Sequence, residues 1–142
     1  MATQILYSTT ATANGGRDGR SRTEDGALDV TLAVPKEMGG SGAGNNPEQL
    51  FAAGYAACFL GAMKFAAGQN KDLPRVGTDA TVSATVSIGP RADKGFGLKV
   101  ALSVNLPGVD RAAAQALVAE ADTICPYSHA TRGNITVDIS VA

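Results

Sequence analysis

A chain of 142 residues, 44% hydrophobic and 18% charged, has the size and balance of a single globular domain over residues 1–142, which excludes a disordered chain. At this length roughly 68–70% of the unfolded chain's surface can be buried, so a core can form without metal or disulfide staples. Twelve Lys and Arg against thirteen Asp and Glu leave a formal net charge of −1; with no basic run, the electrostatic footprint of DNA, RNA or anionic membrane binding is missing.

The segment Met1-Ala2-Thr3-Gln4-Ile5 has no positive region followed by an apolar one, so no signal peptide is read and a cytoplasmic location is expected. In a reducing compartment two cysteines are more often free, catalytic or redox-active than a staple. The triplet Asn134-Ile135-Thr136 then begins a strand and carries no sugar.

Residues Ile5 to Ala13 are rich in Thr and β-branched side chains and predict a first strand, closed by the turn residues Asn14-Gly15-Gly16. The polar segment Arg20 to Thr23 leads through Asp25-Gly26 to Leu28–Leu32, which alternates with period two, so strands two and three are expected to form a hairpin. A glycine-rich, flexible loop from Pro35 to Asn46 ends at a helix start written several ways at once. Asn46 can cap, Pro47 suits the first helical position, and Gln49 stands where a capping box wants it.

The helix predicted from Pro47 to about Gly68 carries Leu50, Phe51, Tyr55, Phe59, Leu60, Met63 and Phe65, which leave no polar face and predict cover on all sides. Its apolar run, Leu50 to Met63, is too short for a membrane span. Ala52, Ala53, Gly54, Ala56, Ala57, Gly61 and Ala62 keep it thin, so sheets and a partner helix can approach closely. Glycine inside a helix costs about 1 kcal/mol relative to alanine, so Gly54 and Gly61 imply a packing reason. Further on, Asp79–Ile88 and Leu98–Leu106 alternate around a loop at Gly89–Gly97, giving a second hairpin. Asp110–Ile124 reads as a second helix and Ile135–Val141 as the last strand. Long helices between antiparallel hairpins predict an α+β fold.

Cys58 lies near the middle of the apolar helix, and Cys125 where the second helix ends. A free cysteine is commonly an inert small hydrophobe. A reactive one needs a thiolate, and inside an apolar helix a thiolate needs a nearby cation to offset burial. Arg17 and Arg20, in Gly15-Gly16-Arg17-Asp18-Gly19-Arg20, are the best placed by local chemistry, although an arginine in a turn is usually just a solvated charge. Glu48 is the sole carboxylate of the apolar helix, and a first-turn acid is favoured by the helix dipole alone. Ten residues between Glu48 and Cys58 correspond to about 15 Å of helical rise, so the two cannot meet within one helix. If both serve one site, an antiparallel copy across a two-fold axis is the simplest geometry.

His129, the only histidine, stands in a C-x3-H spacing with Cys125. Two ligands do not make a metal site, and none is expected; nor can a Ser-His-Asp arrangement be argued from it. The glycines from Gly39 to Gly44 precede a helix, which invites a phosphate-binding reading, but they lack both the Walker ending and the Rossmann spacing and read as a linker.

Four segments together resemble the Ohr/OsmC family, specifically its organic hydroperoxide resistance (Ohr) branch: Thr10-Ala11-Thr12-Ala13 leading into Gly15–Arg20; Asn46-Pro47-Glu48-Gln49-Leu50-Phe51-Ala52-Ala53-Gly54-Tyr55; Ala56-Ala57-Cys58-Phe59; and Cys125-Pro126-Tyr127-Ser128 with Ala130–Asn134. They span almost the whole chain in order, and the second and fourth are the specific ones. The resemblance implies an OsmC-like α+β fold, with antiparallel sheets wrapped around a long buried central helix in an intertwined homodimer. It implies a thiol peroxidase that reduces organic hydroperoxides to alcohols, with no bound cofactor and with a lipoyl dithiol on a carrier protein as external reductant. Cys58 matches the peroxidatic cysteine, Cys125 the resolving cysteine, and Arg17 and Glu48 the activating pair. On this reading Phe51, Phe59 and Met63 form the apolar wall of the substrate pocket, and Cys58 sulfenic acid condenses with Cys125 to a disulfide. His129 departs from the family pattern, which more often has Asn there. Two rival readings are a peroxidase of the OsmC branch, disfavoured by the early Arg17 turn and the CPYS segment, and a non-enzymatic hydroperoxide-sensing or small-ligand module.

Overall fold

A computed structural model describes residues 3–142. The chain separates into two compact units, one ending at Leu50 and the other running from Phe51 to Ala142.

The first unit is built on a small antiparallel sheet of β1 (Ala11–Asn14), β2 (Arg20–Thr23) and β3 (Asp29–Thr31), in that spatial order. Asn14 pairs with Arg20 and Ala11 with Thr23, and β2 pairs with β3 from Arg20–Thr31 to Arg22–Asp29. The hairpin expected between the second and third strands is therefore present. The first strand is much shorter than expected, because β2 offers only four residues before the Asp25-Gly26 turn. Ile5, Leu6 and Tyr7 consequently lie outside any strand and are exposed. The glycine-rich loop is not a free linker. A 3-10 turn at Lys36–Met38 is followed by backbone bonds from Gly40 to Pro35 (3.0 Å) and from Gly42 to Val34 (2.9 Å), and a Cβ on Gly40 would collide with the Val34 carbonyl.

Helix α1, Pro47–Gln69, begins at the capping box expected from the sequence. The Gln49 backbone N–H donates to Asn46 Oδ1 (2.8 Å), and Gln49 Oε1 accepts from the Asn46 N–H (3.1 Å), so two end donors are satisfied reciprocally. The helix has 23 residues, longer than the apolar run in its sequence, and by length and composition alone could cross a membrane. Tyr55, Phe59, Ala62, Met63, Ala66 and Ala67 are instead buried in a protein core. Cover on all sides, as expected from the composition, is not what the single chain provides: Ala53, Ala57, Gly61, Lys64 and Phe65 are exposed. Ala53, Ala57 and Gly61 expose little apolar area per position, whereas Tyr55, Phe59 and Met63 turn inward at helical spacing; Phe65 is the large apolar side chain left on the bare face. Gly54 has a packing reason, since a Cβ there would lie 3.0 Å from the Tyr127 hydroxyl, while at Gly61 it would meet nothing within 4 Å among the described residues.

The second unit adds β4 (Thr81–Pro90), β5 (Phe96–Asn105), α2 (Arg111–Ile124), α3 (Pro126–Thr131) and β6 (Val137–Val141). The β4–β5 hairpin is longer than expected, because Gly89 and Pro90 join the ladder opposite Gly97 and Phe96. Pro90 is tolerated on β4 because β4 is an edge strand in the order β4-β5-β6. The expected all-antiparallel pairing needs correction, since β6 runs parallel to β5, with Val100 opposite Val137 and Val104 opposite Val141. The reason is the connection: two helices lie between the strands, and only a crossover of this kind returns the chain in the same direction. Asp110 caps α2 through its side chain, which accepts from the Ala113 N–H (3.2 Å). The short α3 was not anticipated, because Pro126 reads as a helix stop after Ile124 yet also suits the first position of a new helix. Val100, Leu102, Val104, Leu117, Ala121 and Cys125 complete the core around the inner side chains of α1.

Candidate active site

Arg17 and Glu48, both in the first unit, form a two-pronged ion pair. Arg17 sits in the middle of a 3-10 turn, Gly16–Asp18, that joins β1 to β2. Gly15 and Gly16 both take left-handed backbone angles, φ 69° and 66°, where a side chain would be strained. A Cβ on Gly19 would collide with the Asn14 carbonyl oxygen, so the turn closes as tightly as it does only with glycine there. Arg17 donates from Nη1 to Glu48 Oε2 (2.8 Å) and from Nη2 to Oε1 (2.7 Å), the planar fork that guanidinium and carboxylate share. The hydrogen bonds from Arg17 hold the Glu48 carboxyl below its ordinary range against the opposing effect of burial, and the Glu48 bonds raise the already high pKa of Arg17.

Arg20, the other arginine of the turn, is engaged elsewhere. It donates from Nε to Asp29 Oδ1 (2.6 Å) and from Nη2 to Oδ2 (2.5 Å) across the β2–β3 pairing, which lowers the Asp29 carboxyl. In the sequence Arg17 and Arg20 are equivalent candidates of one turn. Pairing across β2 and β3 separates them, a signal that lies in strand register and not in the turn itself.

Cys58 and Cys125 come together in the second unit, although 67 positions separate them. Cys58 is half-buried on α1, whereas Cys125 is fully buried between the end of α2 and the start of α3. Both are free thiols, and Cys125 Sγ lies 3.5 Å from Cys58 Sγ with the Cys125 thiol donating. A disulfide requires about 2.05 Å, so a small displacement of the α2–α3 junction that carries Cys125 closes the gap. Burial pushes the Cys58 thiol up from its ordinary value; the backbone N–H of Tyr127 acts in the opposite direction, and the Cys125 thiol adds to the rise. The balance favours the neutral thiol, and a positive charge beside it would favour the thiolate.

The side chains assigned to the apolar wall are not alike. Phe59 and Met63 have no exposed surface and belong to the core. Phe51 is half-buried and meets Tyr55 (ring centroids 6.1 Å apart) and Tyr127 (6.0 Å). His129 is exposed on α3. Hydroxyls to which the sequence motifs assign no role lie nearby. Tyr55, wholly buried, lies 2.8 Å from Ser128 Oγ and 3.2 Å from Thr131 Oγ1. The available signal was a tyrosine in the middle of an apolar helix, whose hydroxyl needs a partner when buried.

The family model described as OsmC-like protein matches residues 39–140. An uncharacterised protein of Acinetobacter baylyi is 56% identical over 97% of this chain and 94% of its own length. The organic hydroperoxide resistance protein of Xanthomonas axonopodis pv. citri is 51% identical over 98% of this chain and 96% of its own. Among solved structures, an organic hydroperoxide resistance protein OsmC from Legionella pneumophila superposes with a TM-score of 0.91 at 47% identity, covering 98% of this chain and 99% of that one.

Proposed function

Because this chain belongs to the OsmC-like family, in its organic hydroperoxide resistance branch, we propose that it is a cysteine-based peroxidase reducing organic hydroperoxides to alcohols. The observation that carries the reading is the approach of two free thiols to 3.5 Å, one of them half-exposed and the other buried. The Cys58 thiolate attacks one peroxide oxygen, the O–O bond breaks, and the departing alkoxide leaves as the alcohol once protonated. The two electrons come from sulfur, which becomes a sulfenic acid. The Cys125 thiol then attacks that sulfur; the S–O bond breaks, water leaves, and a Cys58–Cys125 disulfide remains.

Arg17 is the cation the thiolate needs, and its fork on Glu48 fixes the direction of the guanidinium, which would also polarise the peroxide. A second copy of the chain completes the enzyme as a homodimer. The bare face of α1, with Ala53, Ala57 and Gly61 exposed, supports that assembly, because small residues allow close backbone approach. Of the three apolar side chains only Phe51 has exposed surface; it would line an apolar slot that suits alkyl or fatty-acid hydroperoxides over hydrogen peroxide, with Phe59 and Met63 in the core and not in contact with substrate. An external dithiol must return two electrons to reopen the disulfide, and the lipoyl dithiol of a carrier protein suits an apolar slot.

The test is a free-thiol count on reduced protein before and after one equivalent of cumene hydroperoxide, with hydrogen peroxide in parallel. We expect a fall from two thiols to none, faster with the organic peroxide and reversed by dihydrolipoamide, and no turnover from Cys58→Ser. Survival of both thiols, or an active Cys58→Ser variant, overturns the proposal.

A further inference from the structure

We propose that Tyr55, Ser128 and Thr131 form a buried hydroxyl lock that positions Cys125 for disulfide closure, which makes Tyr55 a positioning residue for the second chemical step. This inference rests on the peroxidase reading above and concerns the same pair of thiols.

The placement is reciprocal. Tyr55 precedes Cys58 by three residues on α1, and Ser128 follows Cys125 by three residues on α3, so on both helices the lock lies one turn from the sulfur. Tyr55 Oη is 2.8 Å from Ser128 Oγ and 3.2 Å from Thr131 Oγ1, and the Thr131 hydroxyl also donates to the Ser128 carbonyl (3.2 Å). Tyr55 has no exposed surface, Ser128 is 2% exposed and Thr131 6%, so these groups are largely shielded from water.

Phenylalanine would fill the same space, and the hydroxyl adds direction. Apolar contacts tolerate sliding of α3 along α1, whereas a Tyr55 hydroxyl that bonds both Ser128 Oγ and Thr131 Oγ1 in a buried site is satisfied in one register only. That register is the one in which the sulfurs stand 3.5 Å apart. Closing to about 2.05 Å is then a short local movement, and the sulfenic acid on Cys58 meets its partner thiol before a second peroxide does. The far end of α3 is held separately, because Arg132 donates from Nη2 to the Asp122 carbonyl (2.6 Å). Loss of the Tyr55 hydroxyl therefore loosens the register without releasing the helix.

The experiment is rapid-mix oxidation of the reduced, full-length protein with one equivalent of cumene hydroperoxide. Sulfenic acid is trapped by dimedone and disulfide measured by mass spectrometry, for wild type, Tyr55→Phe, Ser128→Ala and Thr131→Ser. In Tyr55→Phe we expect sulfenic acid to form within twofold of the wild-type rate and the disulfide to close about tenfold more slowly, the loss of roughly one well-made hydrogen bond. Trapped sulfenic acid and overoxidation to sulfinic acid should rise in step. Ser128→Ala should show the same split, and Thr131→Ser, which keeps its hydroxyl, should close at the wild-type rate. If Tyr55→Phe fails to fold, Ser128→Ala carries the test alone. An unchanged closure rate, or slowing of both steps by one common factor, overturns the lock. If wild type itself forms no disulfide, it is the peroxidase reading that fails, a result distinct from wild-type closure with unaffected variants.

Discussion

Phe59 and Phe65 stand on the same helix six residues apart, and the structure separates them completely, with Phe59 at 0% exposure in the core and Phe65 at 57%. Replacing Phe59 by alanine removes a whole ring from a packed site, with the transfer of apolar surface and the residual cavity both counting against the folded state. Such truncations cost about 3–5 kcal/mol. Against a total stability of roughly 5–15 kcal/mol this is a large share, and at about 2–4 °C per kcal/mol it lowers Tm by roughly 6–20 °C. Phe65→Ala removes the same atoms from a site that faces water in the single chain and, at protein concentrations low enough to keep the chain monomeric, should cost less than about 1 kcal/mol. Urea titrations of both variants beside wild type, read by circular dichroism at matched protein concentration, measure the difference. If Phe59→Ala cost under 1 kcal/mol, or the two variants lost equal stability, the burial pattern of α1 would be wrong.

Arg17→Ala should move ionisation of Cys58 to higher pH, because burial already raises this thiol and the proposed compensating cation would be gone; an unchanged pH profile of iodoacetamide alkylation removes Arg17 from the site. For Glu48 the folded pKa lies below its unfolded one through the Arg17 bonds, so the unfolded chain binds more protons and stability rises with pH in that window. The contribution is complete above the unfolded value, near 4.5, and disappears as pH falls through the lower folded value. The stability gap between wild type and Glu48→Gln should therefore be constant near neutrality and shrink only in acid, and a gap that shrinks between pH 6 and 8 refutes the assignment. Sedimentation should give a species of twice the chain mass, and a 14.3 kDa particle at working concentration would refute the dimer.

Local chemistry was readable in the sequence wherever neighbours along the chain decide the outcome. The capping box of Asn46 and Gln49 and the β2–β3 and β4–β5 hairpins each depend on a few adjacent residues, and each is formed. The motif around Asn46–Tyr55 and the CPYS segment pointed to the right family for a related reason: their residue types and order can be compared without coordinates. Partners distant in sequence were another matter. The direction of β6 follows from a crossover containing a helix that Pro126 disguised as a stop, and the first strand stops short because its neighbour is only four residues long. Arg17 faces Glu48 while Arg20 faces Asp29 because of strand register and turn geometry, which composition does not encode. The same holds for which face of an evenly apolar helix is buried, for the meeting of Cys58 with Cys125, and for the hydroxyls of Ser128 and Thr131 that receive Tyr55. Such contacts are decided by packing, where many elements must satisfy volume and hydrogen bonding together, and no single stretch of chain contains that information.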